Sequence, residues 1–269
     1  MNDTGVLLFA FQSTKFDYLK LARWSAKNVK KFLNLPVCLV TDAKVNDTKD
    51  FDYIISADST GTTRYDYSTK ESYQWNNGQR YAAYNLTPFD TTLVLDVDYV
   101  VASKQLLTLL KDPRDFICHR TSIDVTGKTA ELAIFGQTQL PMAWATVIKF
   151  KKSTISKIIF NLMEMIQKNY SHYANLYNFP DRTYRNDYAL TIALYIAAGH
   201  KLSNEFFCSW PLFNSHASET VEKLSDNCYN IIYDKPFGNR QKLMRNKIED
   251  FDIHVMNKKS LEEIIEADI

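Results

Sequence analysis

Glycine and proline are scarce, with 7 of each in 269 residues. No glycine-rich loop follows the first apolar run. Phe11-Gln12-Ser13-Thr14-Lys15 stands there instead, which argues against a glycine cradle for a triphosphate at that point. Cys38, Cys118, Cys208 and Cys228 lie far apart, and no Cys-x-x-Cys pair or Cys/His cluster offers a zinc or redox site. Such thiols are expected to be reduced and buried, as in a cytosol. An excess of one charge is also missing: the net charge of +1 gives no global pull toward nucleic acid or membrane and leaves only local patches to consider. No apolar stretch approaches membrane-spanning length. The run Val6 to Phe11 follows Asn2 and Asp3 without a basic segment or small-residue cleavage site, so it does not read as a secretory leader. The expected location is cytoplasmic. No repeat, linker or low-complexity tract breaks the chain.

What is present is core. A hydrophobic fraction of 45% and an aromatic fraction of 13% describe a well-packed globular chain, long enough for one large α/β domain. Gly5 to Phe11 reads as a buried strand, with Gln12-Ser13-Thr14 supplying turn and cap chemistry. Tyr18, Leu21, Ala22, Ser25, Val29, Phe32 and Leu33 recur at helical spacing, and Val37 to Val40 makes a second strand closing on Thr41-Asp42. Strand, helix, strand predicts a parallel sheet with ligands at the carboxyl ends of its strands. A short strand is expected at Tyr53-Ile54-Ile55, a long polar loop over 58–77, and a helix over Gln79 to Leu86. Further on, strands are expected near Phe116 to Cys118, over Trp144 to Phe150 and within Lys201 to Trp210. Helices are expected over Leu106 to Leu110, Ile155 to Tyr170, Asp187 to Ala198 and Leu261 to Ala267. Lys235, Arg240, Lys242, Arg245 and Lys247 fall in what reads as a basic tail.

The chain is organised around Thr91-Thr92-Leu93-Val94-Leu95-Asp96-Val97-Asp98-Tyr99-Val100-Val101. An apolar, β-branched run ending in acid-x-acid is a buried strand that delivers two carboxylates to a sheet edge. Carboxylates are rarely left in a core without a partner or a cation. In a strand, residues two apart point to the same face, so Asp96 and Asp98 can converge on one ion. Hard oxygen ligands suit Mg²⁺ or Mn²⁺, whose remaining ligands come from water and substrate phosphates.

A strand, helix, strand start, Arg80 on a helix, the Pro88-Phe89-Asp90 turn and then Leu93-Val94-Leu95-Asp96-Val97-Asp98 together resemble a nucleotide-sugar-dependent glycosyltransferase of the GT-A fold class. The style is that of the retaining branch of glycogenin and the lipopolysaccharide galactosyltransferases. The resemblance covers residues 5 to 210 loosely and 79 to 101 closely. It implies an α/β, Rossmann-like domain over 1–269, with a mostly parallel central sheet flanked by helices. Residues 1–101 would form the nucleotide-binding half, 102–235 the acceptor and donor-sugar half, and 236–269 a C-terminal extension completing the site.

It further implies that Asp96 and Asp98 ligate Mn²⁺ (or Mg²⁺), that His254 completes the metal set and that Lys258 contacts the diphosphate. The branch's His-x-x-Gly-x-x-Lys-Pro-Trp is not reproduced, because Asn257 and Lys258 follow His254 with neither Gly nor Pro-Trp. On imidazole chemistry alone, a His between Ile253 and Val255 reads as structural. Arg80 would lie near donor sugar and phosphate, or be an exposed helix arginine. Asn186 and Asp187 take the place of the branch's pair beside the reacting carbon, or act as an N-cap. Gln12 and Asp42 fall where the nucleoside would lie, and Trp144 and Thr146 near the sugar or acceptor.

The donor implied is a nucleotide-diphosphate sugar, UDP-linked foremost. The acceptor stays open among a glycan, lipopolysaccharide and, in a phage-infected host, DNA with hydroxymethylated bases. The basic tail reads as a solvated face or as a dock for such an anionic acceptor. An inverting enzyme would need a carboxylate base, with Asp124 and Glu131 as candidates. A sugar nucleotidylyltransferase shares the architecture but would be expected to carry the glycine-rich loop. A catalytically silent nucleotide- or carbohydrate-binding module is the rival of another class.

Overall fold

The computed structural model describes residues 3–59, 61–66, 71–130, 140–179, 183–237 and 240–268. In chain order the elements begin with β1 (Thr4–Phe9), α1 (Tyr18–Leu33), β2 (Val37–Thr41), β3 (Tyr53–Ser56), β4 (Thr62–Asp66) and β5 (Glu71–Trp75). A 3₁₀ turn over Arg80–Ala82 leads into α2 (Ala83–Leu86), followed by β6 (Thr91–Leu95), β7 (Tyr99–Val100) and α3 (Leu106–Lys111). Next come β8 (Phe116–His119), β9 (Ser122–Ile123), β10 (Thr129–Ala130), β11 (Trp144–Lys151), α4 (Thr154–Lys168), α5 (Tyr170–Leu176) and α6 (Asn186–Ala197). The chain closes with β12 (Leu212–Ser215), β13 (Thr220–Ser225), β14 (Cys228–Phe237), β15 (Arg240–Glu249), β16 (Ile253–Val255) and α7 (Lys258–Ala267).

The central sheet runs β3-β2-β1-β6-β11-β8. The pairs β3/β2, β2/β1 and β1/β6 are parallel, and β11 is antiparallel to both β6 and β8. Its strands read as unbroken apolar runs because helices cover both faces: Val6 to Leu8, Leu93 to Leu95 and Val147 with Ile148 are fully buried. The mostly parallel, helix-flanked, Rossmann-like arrangement expected from the sequence is the one observed. Gly5 is needed in β1 because a Cβ there would run into the Phe89 ring, which the Pro88-Phe89-Asp90 turn seats against the strand. All four cysteines are free, three of them buried. Among the described residues, no helix is long and apolar enough to cross a membrane.

Several expectations need correction. Helix α1 is capped by Asp17, whose side chain accepts from the Lys20 N–H, and not by Gln12 to Thr14. Part of the expected 58–77 loop is the antiparallel pair β4/β5, hidden in the sequence by its polar residues. Lys201 to Trp210 returns no strand and contributes only a bridge between Cys118 and Phe207. The chain passes instead to a second sheet, β10-β9-β12-β16-β7. The basic tail is no tail: β14 and β15 form a ribbon in a third sheet, β13-β14-β15. Lys149, within β11, is fully buried, with Nζ donating to the Asp112 and Arg114 carbonyls. Burial holds its pKa down at about 8.

His119, at the end of β8, is fully buried edge-on to Trp210, with ring centroids 4.5 Å apart. Neither of its ring nitrogens has a hydrogen-bond partner among the described residues. Burial pushes its pKa down to about 3, so the folded chain keeps the imidazole neutral while the unfolded chain takes up a proton below about 6.5. Stability therefore falls as the pH drops from about 6.5 toward 3. Replacing His119 with Phe should remove roughly 3 kcal/mol of the loss between about pH 6.5 and 4. Urea unfolding of both proteins across that range checks this, and parallel pH dependences would contradict it.

Candidate functional site

Strand β6 stops at Leu95, and Asp96 to Tyr99 form a turn closed by the Tyr99 N–H donating to the Asp96 carbonyl at 3.0 Å. The two acids therefore meet through a turn and not through strand alternation. The Asp96 N–H donates to the Thr146 carbonyl on β11 at 2.9 Å, which fixes where the turn leaves the sheet. Val97 between them is buried, so the turn is anchored by an apolar plug with an acid on either side.

Each acid has a cation. Arg80 is 1% exposed, lies over the Phe9 ring and pairs through Nη2 with Asp96 Oδ1, so it is not an exposed helix arginine. Its Nε and Nη1 have no partner among the described residues. On the other side, Lys258 Nζ donates to Asp98 Oδ2 at 2.8 Å from the first turn of α7. His254 Nε2 lies 3.6 Å from Asp98 Oδ1. Despite the desolvation it suffers, Asp98 is held far below the ordinary carboxylate range by Lys258 and His254. Desolvation, only partly offset by Arg80, raises Asp96. Lys258 is raised by Asp98 against its own desolvation, and His254 is raised likewise by the Asp98 contact.

His254 is delivered by β16, which lies between β12 and β7. Its Nδ1 donates to Asn214 Oδ1 on β12 at 2.6 Å, leaving Nε2 turned to Asp98. Two residues earlier, Asp252 accepts from the Ala102 and Ser103 N–H groups at 2.9 and 2.8 Å and so ties β16 to the chain beyond β7. Burial pushes that carboxyl up to about 6. One ligand atom from each of Asp96, Asp98 and His254 can be chosen so that all lie within 4.8 Å of one another. Two carboxylates and an imidazole held by a carbonyl are a donor set that fits Mn²⁺ or Mg²⁺.

These residues sit at the carboxyl ends of β1 and β6, on a cavity of about 160 Å³. Asp96, Asp98, Arg80, Lys258, Asn186 and Asp187 all line it. A second cavity of about 260 Å³, lined by Gln12, Lys15, Phe16 and Ala43, shares Ser13 and Tyr18 with the first. The Gln12 N–H donates to Asp42 Oδ1 at 2.8 Å, joining the ends of β1 and β2 beside this cavity.

Asn186 is buried and does not cap α6. Its amide donates to the Asn77 carbonyl at 2.8 Å and its oxygen accepts from the Tyr184 hydroxyl at 3.1 Å. Asp187 Oδ1 accepts from the Ala145 N–H at 2.8 Å, which aims the carboxylate along the cavity wall. Trp144 does not line the cavity; it is buried edge-on to His254, with ring centroids 6.4 Å apart. Asp124 spends one oxygen on the Thr126 and Lys128 N–H groups of its own turn. Glu131 lies outside the described residues. Sequence reading missed Tyr18, Asn214 and Asp252, which carry no local signal, since their roles arise only where distant elements meet.

No family model matches the chain, and neither does any curated protein. Among solved structures it is similar to the glycosyltransferase GlyE of Streptococcus pneumoniae TIGR4, at 12% identity and TM-score 0.40 over 72% of this chain and 43% of that one. Mouse xyloside xylosyltransferase 1 aligns at 9% identity and TM-score 0.42, over 77% and 85%. The bifunctional IspDF of Campylobacter jejuni aligns at 13% and 0.37, over 72% and 47%. The chain thus spans less than half the length of GlyE and of IspDF, and no residue role is carried across from any of them.

The Asp98–Lys258 pair, with side chains 10% and 22% exposed, makes a measurable prediction. Lys258→Met leaves a buried carboxylate short of its main cation and should cost about 3 kcal/mol. In Asp98→Asn the ammonium is stranded instead. The double variant should be less destabilised than the sum of the two by about 2 kcal/mol, in urea unfolding with EDTA present. Simple additivity would mean that the two charges are not coupled.

Proposed function

We propose that the chain is a metal-dependent glycosyltransferase that moves a sugar from a nucleotide-diphosphate donor, UDP-linked foremost, to a hydroxyl acceptor with retention of configuration. One observation carries this reading. His254 Nε2 faces Asp98 Oδ1 at 3.6 Å while Nδ1 is engaged by Asn214, so two electron-rich atoms point at one space unless a proton or a cation lies between them. Asp96 borders the same space.

In this reading Asp96, Asp98 and His254 hold Mn²⁺ or Mg²⁺, which when bound supplies a Lewis acid for the departing diphosphate. Arg80 and Lys258 flank that position and add fixed positive charge where the leaving oxygens develop negative charge. Gln12 lines the adjoining cavity, with Asp42 bonded to its N–H, and the two suit the nucleoside. Asn186 and Asp187 line the same cavity, where the sugar would lie in this reading, with Asp187 available to stabilise positive charge at the anomeric carbon. The bond from that carbon to the diphosphate oxygen breaks, a bond to the acceptor oxygen forms, and the acceptor's proton passes to the departing phosphate. Trp144 acts through His254, packing the ring in place. The three parts of the chain, 1–101, 102–235 and 236–269, would contribute the nucleotide side, the sugar side and the closing segment.

The charge balance sharpens the test. Asp96 and Asp98 are matched by Arg80 and Lys258, so adding a bare dication or a bare diphosphate to the site unbalances it, whereas adding both does not. Mn²⁺ with a UDP-sugar should therefore raise the melting temperature by more than the two separately, in a panel that includes GDP-, CDP- and TDP-sugars. Asp96→Asn and Asp98→Asn should abolish both this shift and donor turnover while circular dichroism stays native. His254→Ala should weaken Mn²⁺ binding. Full turnover in either aspartate variant refutes the assignment, and a joint shift without any turnover would favour a silent binding module.

A further inference from the structure

The ribbon of β14 and β15 is longer than its sheet. Strand β13 pairs with β14 only over Cys228 to Ile232, whereas β14 and β15 stay paired from Cys228 and Glu249 out to Phe237 and Arg240. Beyond Ile232 the ribbon is two-stranded, and its last four residues on β14 and first four on β15 are exposed. A bare two-stranded ribbon is marginal in water.

Cross-strand partners share a face, so one face carries Tyr229, Ile231 and Tyr233 outward to the pairs Lys235/Lys242 and Phe237/Arg240. Its inner residues Tyr229 and Ile231 are core. Its outer end places two lysines directly opposite each other, a like-charge pair that disfavours the ladder unless an anion lies against it. Arg245 and Lys247, nearer the body, have Glu222 and Glu249 for partners. Lys235, Arg240 and Lys242 have no acidic partner among the described residues. Phe237 and Leu243, 73% and 68% exposed, are the most exposed large apolar side chains among the described residues; Phe237 is on the lysine face of this arm and Leu243 on its other face, opposite Asp234, so both enter a boundary only if the arm meets it tip first.

Unpaired cations around protruding apolar side chains match a boundary that is anionic outside and hydrocarbon beneath. The geometry points to the outer half of the β14/β15 ribbon as an anchor that seats the protein on an anionic lipid surface, with Phe237 and Leu243 entering the headgroup boundary and Lys235, Arg240 and Lys242 contacting lipid phosphates. A nucleic acid would use the same cations but has no need of an exposed Leu243. The inference is independent of the catalytic reading, since it concerns binding without turnover.

The test is co-sedimentation of the full chain with phosphatidylcholine vesicles, with and without phosphatidylglycerol. Binding should require phosphatidylglycerol and weaken with salt. Lys235→Ala with Lys242→Ala should weaken partitioning roughly thirtyfold, since each cation near an anionic surface contributes about fivefold. Phe237→Ser with Leu243→Ser should weaken it comparably on a different basis, the loss of apolar insertion. All four positions are exposed, so both variants should keep the parent melting temperature. Absence of phosphatidylglycerol-dependent binding overturns the proposal, as does binding by either variant that equals the parent's. Salt-sensitive binding to duplex DNA that the lysine variant loses, with no vesicle binding, overturns it in favour of a nucleic-acid partner.

Discussion

Asp98 keeps its charge almost out of water, and three separate stretches of chain meet to make that tolerable. A buried carboxylate with no counter-charge would take up a proton or unfold its surroundings. Lys258 Nζ at 2.8 Å and His254 Nε2 at 3.6 Å prevent this, and both come from the last part of the chain, far in sequence from the acid they serve. Asn214 holds the imidazole from the other side, and Asp252 pins the strand that carries it. The end of the central sheet and the C-terminal strand and helix, which also share the apolar core through Ile253, Val255 and Leu261, are thus joined by one buried charge as well.

The same arrangement explains why the acids follow a turn and not a straight strand. In continued pleat Asp96 and Asp98 would sit on one face with the sheet's own side chains around them, and one direction of approach would serve both. The turn spreads them, so that Asp96 meets Arg80 from the helical side and Asp98 meets Lys258 from α7. Arg80 uses only one of its nitrogens for this; two more donors of the same buried guanidinium remain without a partner among the described residues. A cation held so incompletely is poised to take further anionic oxygens without moving.

Much of this was legible from residue order. The unbroken apolar runs in β1, β2 and β6, the helical spacing of α1, and an acid pair directly after a buried strand were enough to place the sheet and one edge of the site. Periodicity failed where polar residues form strands. Thr62–Asp66 and Glu71–Trp75 pair through their backbones with little apolar alternation to announce it. The basic stretch from Lys235 to Lys247 likewise reads as solvated, because the outer part of its described residues is exposed even though those residues are β-paired. Asn186 illustrates the reverse error: Asn before a helix suggests a cap, yet the side chain reaches to the Asn77 carbonyl. Neither Asn214 nor Asp252 could have been singled out, since each matters only through a partner at least forty residues away in the chain.

The closure of the site by the end of the chain has a consequence for how the site is assembled. Strand β16 lies between β12 and β7, so β7 joins the second sheet only through the segment after β15. Without Lys258 and His254, burial would drive Asp98 toward the protonated form. Docking of β16 and α7 supplies the imidazole, the ammonium and the cavity wall together. Charge neutralisation and ligand geometry are therefore consequences of one packing event, and the three groups cannot be tuned separately without loosening the sheet that holds them.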